Sequence, residues 1–342
     1  MDRILNALGI LGLVLLAVVA VLLLQNWLAG GVQLDRAALS SSFNTFTTIF
    51  LGIFIEAAPF LLLGTLASGL VEVYFNKEAV QRILPDNPFA GALVGGLLGF
   101  TFPVCECGVV PLTRRLFHKG MAPATGIAFL LASPVLNPIV IASTYAAYGW
   151  GPMLWLRIGL SFTIAVSVGM IFALHQQPRS MLRPLAFAPI SGGSIELPVI
   201  QSRPTGWARV QQALTIAGDE FFEMGRYLII GSMLAALLQT IVPQSALLAL
   251  GSGPLLSVLV MIVLAVLLSI CSTVDAFVSL AFVGSFTTGS ILGFLVYGPM
   301  VDIKSTLLYL QVFKRRTVLY MVTLPLLLTI LAAVFLNLNV AL

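Results

Sequence analysis

Long apolar segments separated by short polar stretches make up most of this chain. The first apolar run covers 4–27, and eight further apolar segments follow, four on each side of a polar stretch at 176–217. These segments are long enough for helices that cross a bilayer core of about 30 Å. The pattern therefore predicts an all-α polytopic membrane protein. The eight segments lie at 46–71, 89–113, 121–148, 153–175, 218–242, 254–281, 289–313 and 318–340.

The first run and the polar stretch set the predicted organisation. The run at 4–27 exceeds the apolar core of about 7–15 residues in a signal peptide and lacks a small-residue cleavage site, so we expect an extra N-terminal transmembrane helix. The stretch at 176–217 carries five prolines and a Gly-Gly pair, a composition typical of linkers. We expect four parts, at 1–45, 46–175, 176–217 and 218–342.

Composition narrows the class of protein. Hydrophobic residues make up 59% of the chain and charged residues only 9%, against roughly a quarter charged in soluble domains. The net charge of +4 is not read as a nucleic-acid signal, because the basic residues lie in loops beside apolar segments, where they set orientation. We expect the lipid bilayer as a partner, no nucleic acid, and no soluble domain large enough to be an enzyme.

The two halves resemble each other in sequence. Residues 54–64 align with 221–231 through shared Phe, Glu, Leu and Gly positions, and 129–137 align with 294–302. Between these blocks Cys105 falls opposite Cys271, to within one residue. Internal symmetry of this kind is typical of secondary transporters, whose sites form where the repeats meet.

Charge placement predicts how the halves are oriented. If 89–113 and 254–281 enter and leave the membrane on one side, all basic clusters fall inside, as the positive-inside rule expects. We therefore predict two inverted repeats, each with three crossing helices and one re-entrant hairpin, in the plasma (inner) membrane with the basic loops and the 176–217 linker cytoplasmic. The basic clusters are Arg114, Arg115 and Lys119; Arg179, Arg183, Arg203 and Arg209; and Lys314, Arg315 and Arg316.

Two thiols and a carboxylate interrupt an apolar run at Cys105, Glu106 and Cys107. Thiolates prefer soft metals and metalloids, and a charged residue inside a membrane segment is a functional-site hypothesis by default. In an extended segment both sulfurs point the same way and Glu106 points away, so the thiols are candidate solute or metal ligands. Cysteine as a small packing residue is the alternative. Cys271 is a candidate third thiol, and Asp275 beside it a candidate carboxylate.

Two glutamates occupy the same repeat position in apolar spans. Glu56 and Glu223 are candidate proton carriers, because a carboxyl group in an apolar span can exchange a proton near neutral pH. The alternative is a structural hydrogen bond. Arg226 follows Glu223 by three residues and is placed to pair with it on one helical face.

Prolines predict two broken helices. Ser133-Pro134 with Asn137-Pro138 should interrupt 121–148, and Gly298-Pro299 should interrupt 289–313. Discontinuous helices offer dipole ends and bare backbone to a solute. Four polar side chains at these breaks are candidate solute contacts, and we expect the last two to form an ion pair that gates or lines the pathway: Ser133, Asn137, Asp302 and Lys304.

One block of sequence carries a family resemblance. Residues 103–112, which read Pro-Val-Cys-Glu-Cys-Gly-Val-Val-Pro-Leu, and the block from Gly126 to Pro138 resemble the YraQ family of predicted permeases, which includes the organoarsenical efflux permeases. The resemblance implies export of thiophilic species, a role in arsenical resistance, and Cys105 and Cys107 as thiol ligands. Glu106 stands where that family more often has a small residue such as serine, which favours a cation.

The leading hypothesis is a secondary permease that moves a small soft or thiol-reactive solute by alternating access, driven by protons. Two alternative functions remain. One is an ion channel or a metal-handling membrane chaperone, and the other is a membrane thiol-redox enzyme acting through Cys105 and Cys107. Pseudo-symmetric broken helices favour transport, so we expect no enzymatic activity. The chain has no phosphate-binding loop, so we expect that it does not hydrolyse ATP itself. We also expect no cofactor. The sequence does not determine the oligomeric state, and a homo-oligomer is one of the alternatives.

Overall fold

The structure is a computed structural model that describes residues 36–78, 80, 85, 87–102, 105–173, 181–183, 206–241 and 253–339. The predicted helix at 4–27 and most of the predicted linker lie outside the described residues, as do Pro103 and Val104. The elements of the described part are α-helices, accompanied by two isolated β-bridges. The all-helical prediction is confirmed for this part of the chain.

The same succession of helices occurs on each side of the linker. In the first half it is α1 (Arg36–Tyr74), α2 (Pro88–Thr101), α3 (Glu106–His118), α4 (Pro123–Leu136), α5 (Pro138–Tyr148) and α6 (Pro152–Phe172). In the second half it is α7 (Trp207–Ile241), α8 (Pro254–Leu268), α9 (Asp275–Leu280), α10 (Thr288–Met300), α11 (Ile303–Val312) and α12 (Arg315–Asn339).

Six helical stretches within the described residues are long and apolar enough to cross a membrane, which makes this a multi-pass membrane protein. They are α1, α4 with α5, α6, α7, α10 with α11, and α12. The helices α2 and α8 are apolar but shorter. The predicted segments 89–113 and 254–281 are therefore each divided into a short apolar helix and a second helix, α3 or α9.

Helix boundaries follow from local capping. Asn137 lies between α4 and α5 and accepts a hydrogen bond from the backbone N–H of Val140 at 2.9 Å, so this break falls where it was predicted. The second break falls at Val301 and Asp302, past the predicted Gly298-Pro299. Asp302 and Ser305 form a capping box that starts α11 there, whereas Pro299 is accommodated inside α10.

The helix α7 begins earlier than predicted. It starts at Trp207, so 207–217 is helical, although the sequence assigned these residues to the linker. The reason is local: Pro204 and Gly206 end the run of helix breakers, and no proline or glycine follows until Gly218.

Helix neighbours are also repeated between the halves. α2 packs on α4, and α4 on α6; likewise α8 packs on α10, and α10 on α12. The long helices α1 and α7 pack along each other. α4 and α10 are almost completely buried and form the centre of the core, whereas α1, α7 and α12 expose many large apolar side chains.

Two aligned glycines bring the long helices close to the elements that they support. A Cβ atom at Gly64 of α1 would lie 2.2 Å from the Cα atom of Gly108 in α3. A Cβ atom at Gly231 of α7 would lie 3.1 Å from the Cα atom of Lys304 in α11. Small residues at such crossings let helix backbones approach closely. The sequence alignment of Gly64 with Gly231 thus corresponds to similar packing roles.

We expect Gly64→Ala to lower the apparent melting temperature of the detergent-solubilised protein, because the new methyl group meets backbone atoms that cannot turn away. Overpacking of this kind costs about 1–3 kcal/mol. Gly52→Ala, on the same helix with nothing within 4 Å of the added atom, is the control. Equal melting temperatures for the two variants would contradict the close approach of α1 and α3.

Candidate functional site

The three cysteines lie in one buried core, at the two places where the chain turns between short helices. Cys105 precedes α3 and Cys107 belongs to its first turn; we call 105–107 the first tip. Cys271 lies between α8 and α9; we call 271–275 the second tip. All three are free thiols.

The two tips are close enough to interact. Cys271 interacts electrostatically with Glu106 and with Cys105. Lys304 of α11 interacts electrostatically with both Cys107 and Cys271. The structure therefore brings the three predicted thiols to one region, and it adds a cation from the second half.

The local geometry of the first tip differs from the prediction. Only Cys105 is extended, with φ −78° and ψ 177°, whereas Glu106 and Cys107 already belong to α3. The helix starts here because Gly108 and Val109 donate backbone hydrogen bonds to the Cys105 carbonyl oxygen, at 3.1 and 3.0 Å. Glu106 does not point away from the site as expected, since it is buried and faces Lys304.

A resident metal centre finds no support in the described residues. No group of three or more His, Cys, Asp or Glu side chains there is arranged to hold a metal ion. The metal role of Cys105 and Cys107 stays a prediction about transported solute.

A buried ion-pair cluster joins the first tip to the second half. Lys304 Nζ lies 3.6 Å from Glu106 Oε1 and 3.5 Å from Asp302 Oδ2, and each of these residues is 2% exposed. Asp302 Oδ1 accepts the Ser305 backbone N–H at 2.6 Å. Both lysine distances exceed those of a close hydrogen bond, so Lys304 sits between two carboxylates without binding either tightly.

A second buried ion pair joins the second tip to the first half. Arg157 of α6 donates to Asp275 Oδ2 at 2.6 Å and to Thr144 Oγ1 at 2.7 Å. Arg157 is 1% exposed and Asp275 2%. Thus α3 and α9 each begin with a carboxylate that pairs with a cation from the opposite half. A carboxylate is also favourable at a helix N-terminus because of the helix dipole.

Arg157 was missed in the sequence, although a signal was present. An arginine inside the apolar segment 153–175 is costly unless it is paired, and this alone marks it as a candidate. Only the fold could show that its partner is Asp275, 118 positions further along the chain.

The two predicted residues at the first helix break take part in the local structure of that break. Asn137 is buried, caps α5, and donates from Nδ2 to the Ser133 carbonyl oxygen at 3.3 Å. Ser133 is fully buried in α4. Contact of either side chain with a solute stays a prediction.

The two repeat-related glutamates have different surroundings. Glu223 pairs with Arg114 of α3 at 3.0 Å and accepts from Gln311 of α11 at 2.9 Å. The predicted pairing of Glu223 with Arg226 is not found, because Arg226 is exposed on α7 and α3 supplies the arginine instead. Glu56 is half-buried, forms no ion pair with any described residue, and interacts electrostatically with Glu106.

A charged network holds the far end of α3. Arg115 Nε lies 2.5 Å from Glu220 Oε1 of α7, and Lys119 Nζ lies 3.4 Å from Glu72 Oε2 of α1. Glu220 is buried and was also missed in the sequence, where it follows Asp219 and reads as part of a polar helix start. α3 therefore has charged partners at both ends, Lys304 at the first tip and this network at the other end.

Residues 42–338 match the model of a family described as predicted permease. The chain belongs to the predicted permease family. It is 41% identical over 285 residues to UPF0718 protein YcgR of Bacillus subtilis, covering 83% of this chain and 94% of that protein.

Two further relatives show how widely the permease family extends. A Streptococcus mutans protein named putative two-component membrane permease complex subunit is 37% identical over 289 residues, covering 83% of this chain and 92% of that protein. UPF0718 protein YraQ of Escherichia coli is 27% identical over 90 residues, or 26% of each chain. No solved structure matches. Permeases are transporters rather than enzymes, which agrees with the membrane-spanning helices.

We expect Lys304→Met to reduce the yield of folded, monodisperse permease far more than Glu106→Gln. The lysine variant leaves two buried carboxylates without a cation, and breaking a buried pair costs about 3–5 kcal/mol. The glutamate variant leaves Lys304 balanced by Asp302. Size-exclusion profiles in detergent measure the outcome.

Lys314→Met, the same substitution at an exposed lysine, controls for the change of side chain. Equal losses in Lys304→Met and Glu106→Gln would show that Lys304 does not balance two acids.

Proposed function

We propose that this permease is a secondary transporter that moves a small soft or thiol-reactive solute by alternating access. The observation that carries the proposal is the meeting of both tips, with three buried thiols, beside ion pairs that cross between the halves. Such a site lies where two repeats meet, as in transporters built from repeats.

Reciprocal packing supports inverted repeats. α3 of the first half contacts α11 of the second, and α9 of the second contacts α5 of the first. The helices α2 and α8, with 14 and 15 residues, would reach only about 21–23 Å. This is shorter than a bilayer core of about 30 Å, which favours α2 with α3 and α8 with α9 as re-entrant hairpins.

The basic clusters support the same topology. Arg183 donates from its backbone N–H to the Val312 carbonyl oxygen at 2.9 Å, beside Lys314. The Phe117 ring, within the Arg114–Lys119 region, stacks edge-on against Phe313 with centroids 5.9 Å apart. Members of all three clusters thus lie at one end of the molecule, which we propose is cytoplasmic, in the plasma membrane.

The thiols define the proposed class of solute. Cys105, Cys107 and Cys271 are soft ligands suited to trivalent arsenicals, soft metals or reactive sulfur compounds. Their burial argues against a thiol-redox enzyme, since catalytic cysteines are at least partly accessible. Ser133, Asn137, Asp275, Asp302 and Lys304 are proposed to line or gate the same pathway.

Glu56 is the stronger of the two proposed proton carriers. Glu223 already has an arginine and a glutamine as partners, whereas Glu56 interacts with Glu106 at the first tip. A proton on Glu56 would therefore change the charge felt at the solute site.

Because one relative is named a complex subunit, we also propose a second membrane subunit as a partner, with a homo-oligomer as the alternative.

Transport in vesicles tests the thiol role. With a panel of soft metals, trivalent arsenicals and small sulfur compounds, we expect Cys105→Ala/Cys107→Ala to reduce flux of the accepted solute about tenfold or more, because two soft ligands are lost. Thr163→Ala, which removes an exposed hydroxyl on α6, is the control. Unchanged flux of every accepted solute in the double variant would refute the thiol-ligand role.

Labelling from each face of sealed vesicles tests whether α10 with α11 crosses the membrane, as the proposed topology requires. In a chain without native cysteines, we expect an impermeant maleimide to reach Ser285→Cys and Lys314→Cys from opposite faces, because both positions are exposed but lie at opposite ends of α10 and α11. Labelling of both from the same face would rule out the proposed topology.

A further inference from the structure

The second tip is held by side chains of the first half through several contacts. Arg157 binds Asp275 at the start of α9, and Ser143 of α5 donates to the Thr273 carbonyl oxygen. Tyr148 Oη and Ser279 Oγ lie 2.6 Å apart, within hydrogen-bonding distance. The tip is therefore attached at its middle, at the start of α9 and further along that helix.

Arg157 is the centre of this attachment. Its guanidinium joins Asp275 to Thr144, so one side chain of α6 ties α9 to α5. Within the tip, the backbone N–H groups of Val274 and Asp275 donate to the Cys271 carbonyl oxygen at 3.0 and 3.2 Å. Holding Asp275 in place therefore also fixes the backbone that carries the Cys271 thiol.

The first tip depends on a different set of residues. Glu106 meets Lys304, Gly108 packs on Gly64, and the far end of α3 is held by glutamates of α1 and α7. None of these contacts involves Arg157 or Asp275. The side chains that attach the two tips are different, although Lys304 interacts electrostatically with a thiol at each tip. Because the second tip has its own side-chain attachment to the first half, it can open without breaking the contact between Glu106 and Lys304.

We infer that Arg157 is a positioning residue that clamps the second tip and keeps Cys271 buried, and that this clamp opens independently of the first tip. The inference rests on the proposed alternating access, in which one side of the site opens while the other stays shut. Arg157 acts through Asp275 and Thr144 and need not touch the solute.

The native cysteines provide the test. In the full-length chain carrying Cys105→Ala and Cys107→Ala, Cys271 is the only thiol; in the companion chain carrying Cys105→Ala and Cys271→Ala, only Cys107 remains. The rate of maleimide labelling in detergent then reports opening at each tip separately. No solute is needed, so failure of the solute proposal would leave this measurement intact.

We expect Arg157→Gln to raise the labelling rate of Cys271 about tenfold to a hundredfold, as loss of charged hydrogen bonds permits local opening. The rate at Cys107 should not change. Arg157→Lys, which keeps the charge but cannot bind Asp275 and Thr144 together, should give an intermediate rate. Arg226→Gln, at an exposed arginine, should leave both rates unchanged.

A double variant separates clamping from charge balance. Arg157→Gln/Asp275→Asn removes both charges, so folded yield should recover from any loss caused by an unpaired Asp275. Labelling of Cys271 should nevertheless stay fast, because the clamp is absent. Slow labelling in the double variant, or equal acceleration at Cys271 and Cys107 in Arg157→Gln, would overturn the inference.

Discussion

The cost of burying charge inside a membrane protein is the constraint on which the arrangement of the two halves depends. Glu106, Asp275, Arg157 and Lys304 are each almost completely buried, and such groups are tolerated only when paired. In each pair the acid and the base come from different halves. Lys304 also has Asp302 of its own half as a partner, but Glu106, Asp275 and Arg157 form ion pairs only across the halves among the described residues, so these charges constrain how the halves meet.

This constraint also explains why the candidate site lies where it does. Each acid begins a helix that follows a break in the chain, so pairing it places the neighbouring thiol beside the opposite half. The glycine contacts at Gly64 and Gly231 allow the long helices to support the same elements from outside. Packing and electrostatics thus favour one central site.

The two ion pairs are not equivalent. Arg157 and Asp275 form a close, one-to-one hydrogen bond, whereas Lys304 stands between two carboxylates at longer distances. The second tip is thus held by a close ion pair, whereas the first tip is held by a longer and weaker one. In the proposed transporter the second tip is therefore the more firmly closed element, and the first tip is the one that responds to a change of charge.

Apolar length and helix breakers determined by themselves that this chain is a helical membrane protein, and the Cys-Glu-Cys block, Asp275, Asp302 and Lys304 could be identified because charge and thiol are rare in apolar segments. The end of α10 was misplaced because the capping box of Asp302, not Pro299, ends it. Only the tertiary structure decided that Glu223 pairs with Arg114 and Asp275 with Arg157. Those partners are more than 100 positions apart, and periodicity constrains only neighbours on one helix.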